Sequence, residues 1–392
     1  MFDVSLLLGG SLINRGTAMQ KLRSALGLSV LVAMILVGGC SNPAGGGTTT
    51  PAAPTVWVDQ SAQTGNAATK GLYWNCIASS SDGSHLAAVV ADGDIWTSTN
   101  SGSSWIDQGG QPGNSATKGL NWASISSSSD GTHLAAVVDY GDIWTSTTSG
   151  ASWIDQSRQT GNSATSSQYW ISIASGADGT HLAAVVYTGD IWTSATSGTS
   201  WIDESAAAEV NANTGHQNWE CIASSSDGSR LVAGIMAGGG DIWASTNYGA
   251  TWTDLSQQAG NTATSGQEWI SIASSADGTH LVALTFGSDI WASTNSGASW
   301  IDQSRQAGNS ATIGHQWLSV ASSADGTHLA AVVADGDIWT STTSGTSWID
   351  QSQQAGNSAT SGLLWESIAS SSDGSRLAAV VTGSAGSIWT YP

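Results

Sequence analysis

Every tryptophan in this chain belongs to one of three evenly spaced series, and that regularity limits the fold more than any other feature. In the first, an aspartate follows two positions later: Trp57, Trp105, Trp153, Trp201, Trp252, Trp300 and Trp348. The second opens the stretch that leads to an Asp-Gly turn: Trp74, Trp122, Trp170, Trp219, Trp269, Trp317 and Trp365. The third follows isoleucine: Trp96, Trp144, Trp192, Trp243, Trp291, Trp339 and Trp389. These positions account for all 21 tryptophans and recur about every 48 residues, with small insertions at Ala206–Asn213 and Gly238–Gly240. Seven copies at that period mark a repeat architecture, in which each unit buries its apolar face against the next.

Within one unit, four short apolar runs are separated by turn signals. Asn75–Ser79 reads as a first strand, stopped by Ser81-Asp82-Gly83-Ser84. His85–Val90 follows, and its Leu-Ala-Ala-Val-Val run predicts a strand covered on both faces. Asp92-Gly93 turns the chain into Asp94–Ser98, and Asn100-Ser101-Gly102 turns it again into Trp105–Gln108. Four strands per unit and seven units predict an all-β, seven-bladed β-propeller of four-stranded blades. With 48 glycines and only 10% charged residues, the composition suits strands and turns rather than long helices. The repeat region, residues 55–392, begins in a fourth strand at Thr55-Val56-Trp57 and ends in a third at Ile388-Trp389-Thr390. Pairing these N- and C-terminal strands closes the last blade and leaves no open edge in the ring.

The turn between third and fourth strands, Ser98-Thr99-Asn100-Ser101-Gly102-Ser103-Ser104-Trp105, resembles the Asp-box of sialidase-type (BNR) repeats, Ser-x-Asp-x-Gly-x-Thr-Trp. Six copies end at Trp105, Trp153, Trp201, Trp252, Trp300 and Trp348, with Asn100, Asn247 and Asn295, or Thr148, Thr196 and Thr343, in place of the aspartate. The turn's hydrogen bond must then come from an amide or a hydroxyl. The resemblance implies a propeller, and it implies architecture rather than activity, because enzymes and non-enzymes share the box. Sialidases with this box use an arginine triad, a tyrosine nucleophile and acidic partners. Here Arg230 and Arg376 occupy the place of the histidine that opens the second strand, on the box's own face, which leaves Arg158 and Arg305 where three are needed.

Residues 1–39 read as a lipoprotein signal peptide: Lys21 and Arg23, an apolar run from Ala25 to Val37, then Val37-Gly38-Gly39-Cys40. Met19 is a better start than Met1, and the apolar run is too short to span a membrane. Small residues before a cysteine resemble the lipobox, which implies lipidation at Cys40; an ordinary cleaved signal would instead release the chain. Ser41 after the cysteine implies the outer membrane in a Gram-negative cell. Residues 40–54, rich in Gly, Thr and Pro, read as a flexible lipid-anchored tether. The address is therefore a bacterial cell envelope, with the lipid as the sole membrane attachment.

The charge narrows the partners. Against 29 acidic residues stand 9 basic ones, a net charge of −20, so the surface repels nucleic acid and anionic lipid. Most acids recur with the repeat, and the ring Asp94, Asp142, Asp190, Asp241, Asp289 and Asp337, flanked by Asp92, Asp139 and Asp335, is placed where second strands turn into third strands. Convergent carboxylates suit a cationic partner or Ca²⁺, which takes 6–8 oxygens, while a repeated turn cap is the structural alternative. No other cofactor is implied. The tryptophans from Trp74 to Trp365 stand where long loops enter the innermost strand, as sugar-stacking platforms or as core filler. His85, His133, His181, His280 and His328 share their position with Arg230 and Arg376, which do not ligate metals, so strand-start hydrogen bonding fits them better. His216 and His315 lie outside that series, in long loops. Cys76 and Cys221 share theirs with Ser124, Ser172, Ser271, Ser319 and Ser367, a small-residue position.

Two functions follow. One is a non-catalytic scaffold, a monomeric propeller that shows seven similar loops, six of them of the form Gly-Asn-x-Ala-Thr, to an envelope protein or polysaccharide. The other is a glycoside hydrolase or lyase, for which Glu204, Glu209, Glu220, Glu268 and Glu366 are the acids that break the repeat's symmetry. An assembly factor similar to the photosystem II assembly propellers is a third, although the concentrated arginine patch expected of one is lacking.

Overall fold

The second strand of each unit is buried at five consecutive positions because both of its faces meet a neighbouring blade. This is seen in a computed structural model of the chain, which describes residues 56–206, 214–236, 240–286 and 289–392. The signal, the tether, Cys40 and Glu209 lie outside the described residues. In the first blade the strands are Trp74–Ser79, Leu86–Val90, Ile95–Ser98 and Ile106–Asp107, hydrogen-bonded in that order and antiparallel. The outermost strand is two residues long, which limits the exposed edge. Among the described residues the only helical pieces are three-residue 3₁₀ turns.

Seven such blades form the ring, and the last is assembled from both ends of the region. Trp365–Ser370, Leu377–Val381 and Ser387–Tyr391 supply three strands, and Val58–Asp59 adds the fourth through Val58↔Thr390 and Asp59↔Trp389. A circuit of backbone bonds at the first-to-second turns closes independently. The Ser81 N–H donates to Ser129, Ser129 to Ala177, Ala177 to Ser226, and Ser226 to Ala276. Ala276 then donates to Ala324, Ala324 to Ser372, and Ser372 back to Ser81, all between 2.6 and 2.8 Å.

The three tryptophan series meet between blades. Trp74 lies 6.3 Å from Trp96 and 6.5 Å from Trp105, and all three pack, with Leu86, Ala88 and Val90, on Ala369, Ala378, Val380 and Ile388 of the preceding blade. The odd positions of the same second strand, Ala87 and Val89, turn the other way and join the next triad, around Trp122. In the last blade Trp57 stands 6.3 Å from Trp365, so the N-terminal strand completes the triad there. Large rings on one blade thus face small aliphatic side chains on the preceding one, which lets the two pack closely.

Hydrogen bonds lock the same interfaces. At the innermost strand the Ser124 hydroxyl accepts the Ile173 N–H, Ser319 accepts Ile368, and Ser367 accepts Ile77 across the closure. Cys76, at the equivalent place, directs its thiol to the Ile125 carbonyl at 3.7 Å. At the third-to-fourth turn, the Asn100 amide oxygen accepts the Ser104 N–H and the Thr148 hydroxyl accepts the Ser152 N–H, the amide and hydroxyl roles expected from the sequence.

Candidate functional site: the acidic rim

The two ends of the ring are unlike. One carries the first-to-second and third-to-fourth turns. There Arg230 donates to Ser296 and Arg376 to Ser101, each reaching the next blade's outer turn. The Asp-Gly turns of this end are self-contained: the Asp130 carboxylate accepts the Ser128 hydroxyl at 2.6 Å and the Thr132 N–H at 2.9 Å. Those bonds, the serine's first, hold Asp130, Asp227, Asp277, Asp325 and Asp373 down to about 2. Asp178 is lowered chiefly by the Thr180 N–H, because Gly176 stands where the other blades have the serine. The histidines that follow sit beside these turns, with His133 Nδ1 2.9 Å from the Thr132 hydroxyl, a local role.

The other end joins second-to-third turns to the long loops that enter the next blade, as in the bridges Gly93↔Leu120 and Gly336↔Leu363. Here each ring aspartate meets the aspartate that follows the first tryptophan series. Asp94 adjoins Asp107, Asp142 adjoins Asp155, Asp241 adjoins Asp254, and Asp289 adjoins Asp302. The register Trp192↔Asp203 and Trp339↔Asp350 repeats the arrangement for Asp190 and Asp337. Burial first, and then the neighbouring negative charge, raises Asp155, Asp254 and Asp302 above the usual carboxylate range. Asp94 is raised by burial too, against the Gly119 N–H that it accepts at 3.0 Å. Ser387 replaces the aspartate in the last blade.

Cations from the chain cover some of these pairs. Arg158 lies 2.8 Å from Asp155 and 3.7 Å from Asp142, and Arg305 lies 2.8 Å from Asp302 and 3.4 Å from Asp289. Asp190 has the exposed His216 ring at 3.7 Å. The fourth and sixth blades have Gln257 and Gln353 where those arginines stand. There Asp241 and Asp337 each keep one buried carboxylate oxygen with no hydrogen-bond partner among the described residues.

Beside the rim, three tyrosines break the sevenfold pattern. Tyr140 stacks on Tyr169 with ring centres 4.3 Å apart, and Tyr169 meets Tyr187 at 5.3 Å. Tyr140 is 58% exposed at the tip of a turn with φ of 53°, a left-handed conformation unusual for an aromatic residue. Next to it, burial and then the charge of Asp92 push Asp139 up to about 6. The sequence places Asp139 near the ring but gives no signal for the tyrosines, which stand at three different positions in two neighbouring repeats.

Two expectations give way to the geometry. The series Trp74, Trp122, Trp170, Trp219, Trp269, Trp317 and Trp365 is 0% exposed, so no ring face is left to stack a sugar; these rings fill the interblade core. The Gly-Asn-x-Ala-Thr loops do not present their polar residues outward either. Asn66 donates to the Gln60, Gly102 and Ser103 carbonyls and accepts the Trp105 N–H at 3.2 Å, while Thr69 bonds Ser61 and receives the Trp74 indole at its carbonyl. The motif is a clasp between blades. Of the two loop histidines, His216 reaches the rim, whereas His315 packs edge-on against Trp317 and bonds the Ala311 carbonyl.

The symmetry-breaking acids are dispersed. Glu204 is buried against Thr193, Glu220 and Glu366 belong to innermost strands, and Glu268 is exposed at a loop end. No cluster of three or more His, Cys, Asp or Glu with metal-binding geometry occurs among the described residues.

The chain matches no protein-family model and no curated protein. Solved structures do share its shape. YCF48 from Cyanidioschyzon merolae aligns over 86% of this chain and 98% of its own with a TM-score of 0.57 at 15% identity. YCF48 bound to D1 peptide covers 82% and 94% at 0.56 and 15%, and the RRP9 WD40 repeats cover 82% and 94% at 0.56 and 14%. At these identities the likeness concerns the fold, and with the strand order and closure above it makes the chain an all-β propeller of seven four-stranded blades.

Proposed function

We propose that this chain is a non-catalytic, protein-binding propeller, held at a bacterial envelope by a lipid on Cys40, whose acidic rim captures a basic segment of a partner. The observation that carries the reading is the unequal covering of the rim. Arginines neutralise the pairs at Asp142 and Asp289, but among the described residues Asp241 and Asp337 each retain one buried oxygen without a hydrogen-bond partner, where a lysine or arginine from outside would be charge-complementary. The stacked Tyr140 and Tyr169 add an aromatic face suited to the same cations. Protein capture by propellers of this shape has a precedent in YCF48, one structure of which holds a D1 peptide. The third-to-fourth turns read as degenerate Asp-boxes, and the clasp loops leave recognition to the rim rather than to the repeats' polar motifs.

The test uses a soluble form beginning after Cys40, offered lysine- and arginine-rich peptides and, in parallel, an array of neutral and acidic glycans. Binding of the peptides should weaken with salt and fall about tenfold or more in the Asp241→Asn/Asp337→Asn double variant. Peptide affinity unchanged in that variant, or preferential glycan binding, defeats the reading. Release of reducing ends from envelope polysaccharide, lost on Glu268→Gln, would establish the hydrolase alternative. If Ca²⁺ raises the melting temperature and displaces peptide, the rim binds the ion instead. Loss of membrane fractionation on Cys40→Ala checks the anchor.

A further inference from the structure

Among the described residues, the end opposite the rim holds a pocket that the repeat does not call for. Grooves between blades recur there, beside His85, His133 and His280, and each measures about 10 Å³. Between the third and fourth blades the corresponding space is about 190 Å³. An apolar cavity of roughly 150 Å³ is already large enough to take up benzene.

Two substitutions single out this interface. Tyr248 stands where the other outer turns have Ser101, Ser149, Ser197, Ser296 and Ser344. Ala195, on the facing blade, stands where the other turns have Thr99, Thr147, Thr246, Thr294 and Thr342. The Tyr248 backbone is left-handed, with φ of 62°, a conformation that the small serines tolerate and that is strained for a bulky side chain. Its ring lies 4.7 Å from that of His181, across the blade boundary, and both rings line the pocket. The exposed Ala195 lines it too, without the branched side chain of threonine.

The rest of the lining is chiefly apolar. Leu182 and Leu231 form its buried part, and Ile202, 61% exposed, carries the apolar surface outward. Glu204 also borders the pocket, but its carboxyl is engaged within the chain, by the Thr193 hydroxyl and by a further contact. It therefore calls for no charge from outside, and it disfavours an anion. Five other turns close the same groove with serine and threonine, so folding requires neither Tyr248 nor Ala195. An empty apolar space of this size weakens the packing around it. The geometry points to a binding site for a neutral group built on a single aromatic ring, seated on Leu182 and Leu231 with the His181 and Tyr248 rings against it. Ring-on-ring contacts favour such a group over a saturated one of the same size.

This site lies on the opposite end from the rim and is independent of the function proposed above. The ring could come from a free aromatic compound or from a partner's phenylalanine, and two probes separate these sources: benzyl alcohol and Nα-acetyl-phenylalanine methylamide. Cyclohexylmethanol serves as the saturated counterpart and benzoate as the anionic one. Affinities are read by calorimetry and ligand-observed NMR on the full mature chain. Benzyl alcohol should bind, cyclohexylmethanol at least about threefold less well, and benzoate about tenfold less well. Tyr248→Ser and Ala195→Thr each install the residue of the other turns, so each should keep the unfolding midpoint and lower benzyl alcohol affinity about threefold or more. Binding of benzyl alcohol alone assigns the site to a free compound, and binding of both probes extends it to a partner's side chain. Equal binding of cyclohexylmethanol overturns the aromatic assignment. No binding of any probe, or affinity unchanged in both variants, overturns the site. Asp241→Asn/Asp337→Asn should leave these affinities unchanged, which separates this test from that of the rim.

Discussion

Replacing Asn309 by alanine tests whether the Gly-Asn-x-Ala-Thr loop is a clasp or a recognition element. Asn309 is 1% exposed, in the loop that follows the fifth blade. Its amide group donates to the Gln303, Gly345 and Thr346 carbonyls at 2.9, 3.3 and 3.1 Å, and its oxygen accepts the Trp348 N–H at 3.2 Å. Alanine leaves the Trp348 N–H buried without an acceptor, which costs about 1–3 kcal/mol. The three carbonyls share two amide hydrogens and each has a second lone pair, so together they add about 1 kcal/mol. The sum, about 3 kcal/mol, falls on the joint between the fifth and sixth blades. Urea unfolding should show a lower midpoint, and hydrogen exchange should show early loss of protection at Trp348. Ser310→Ala, one residue away and exposed, should stay within about 0.5 kcal/mol of the parent. Asn309→Asp keeps the acceptor for Trp348 but turns a carboxylate toward three carbonyl oxygens, and should be worse than alanine. If Asn309→Ala unfolds like the parent yet loses partner binding, the clasp assignment is wrong.

Trp170→Ala should cost about 3–5 kcal/mol by emptying the centre of a tryptophan triad, measured by urea unfolding; an unchanged midpoint with loss of glycan binding would restore the stacking-platform reading. Truncation before Gln63 removes Val58–Asp59, Gln60 and Ser61, and should lower the midpoint and expose the edge of Ser387–Tyr391 to proteolysis. Stability should pass through a maximum as the solution is acidified. Asp139, about 6 in the folded chain, binds a proton there before it would in the unfolded chain, so stability rises as pH falls through 6 toward the ordinary value near 3.9. The Asp-Gly turn carboxylates work in the opposite sense: the stability they give is complete above the unfolded value and is lost as pH falls toward about 2. Midpoints measured from pH 8 to 2 check both limbs, and a monotonic profile contradicts the assignment.

The ring was legible because packing demands the same large side chains at every interface. Trp57 in a unit with no first strand, and Trp389 in one with no fourth, pointed to each other across the whole region, and they meet around Trp365. Direction was harder to read. A motif repeated in sequence faces inward or outward alike, so the sequence alone reads the loop asparagines as displayed, whereas Gly102 and Ser103, the carbonyl partners of Asn66, lie in the next repeat. One sign was present: across the copies the central residue of Gly-Asn-x-Ala-Thr varies among Ala, Ser and Thr, while the asparagine and threonine hold. Positions that every repeat keeps are those that every interface needs.

The distribution of positive charge ties these features to recognition. Arg230 and Arg376 are spent on bonds to outer turns at one end, and Arg158 and Arg305 on carboxylate pairs at the other. The four guanidinium groups among the described residues are therefore all engaged, in a chain of net charge −20. A phosphate, sulfate or acidic glycan would have to displace one of these contacts to find a guanidinium, and would meet a negative field on approach. A basic peptide meets the same field as attraction, strongest where Asp241 and Asp337 each keep a buried oxygen unbonded among the described residues. At physiological salt the field decays over roughly 8 Å, so it accelerates encounter near the rim, while the lifetime of a complex rests on contacts made after docking. The asymmetric tyrosines beside the second and third blades supply such contacts in one sector only. A sevenfold scaffold with one aromatic sector would hold a partner in a single orientation, which symmetric carboxylates alone cannot do.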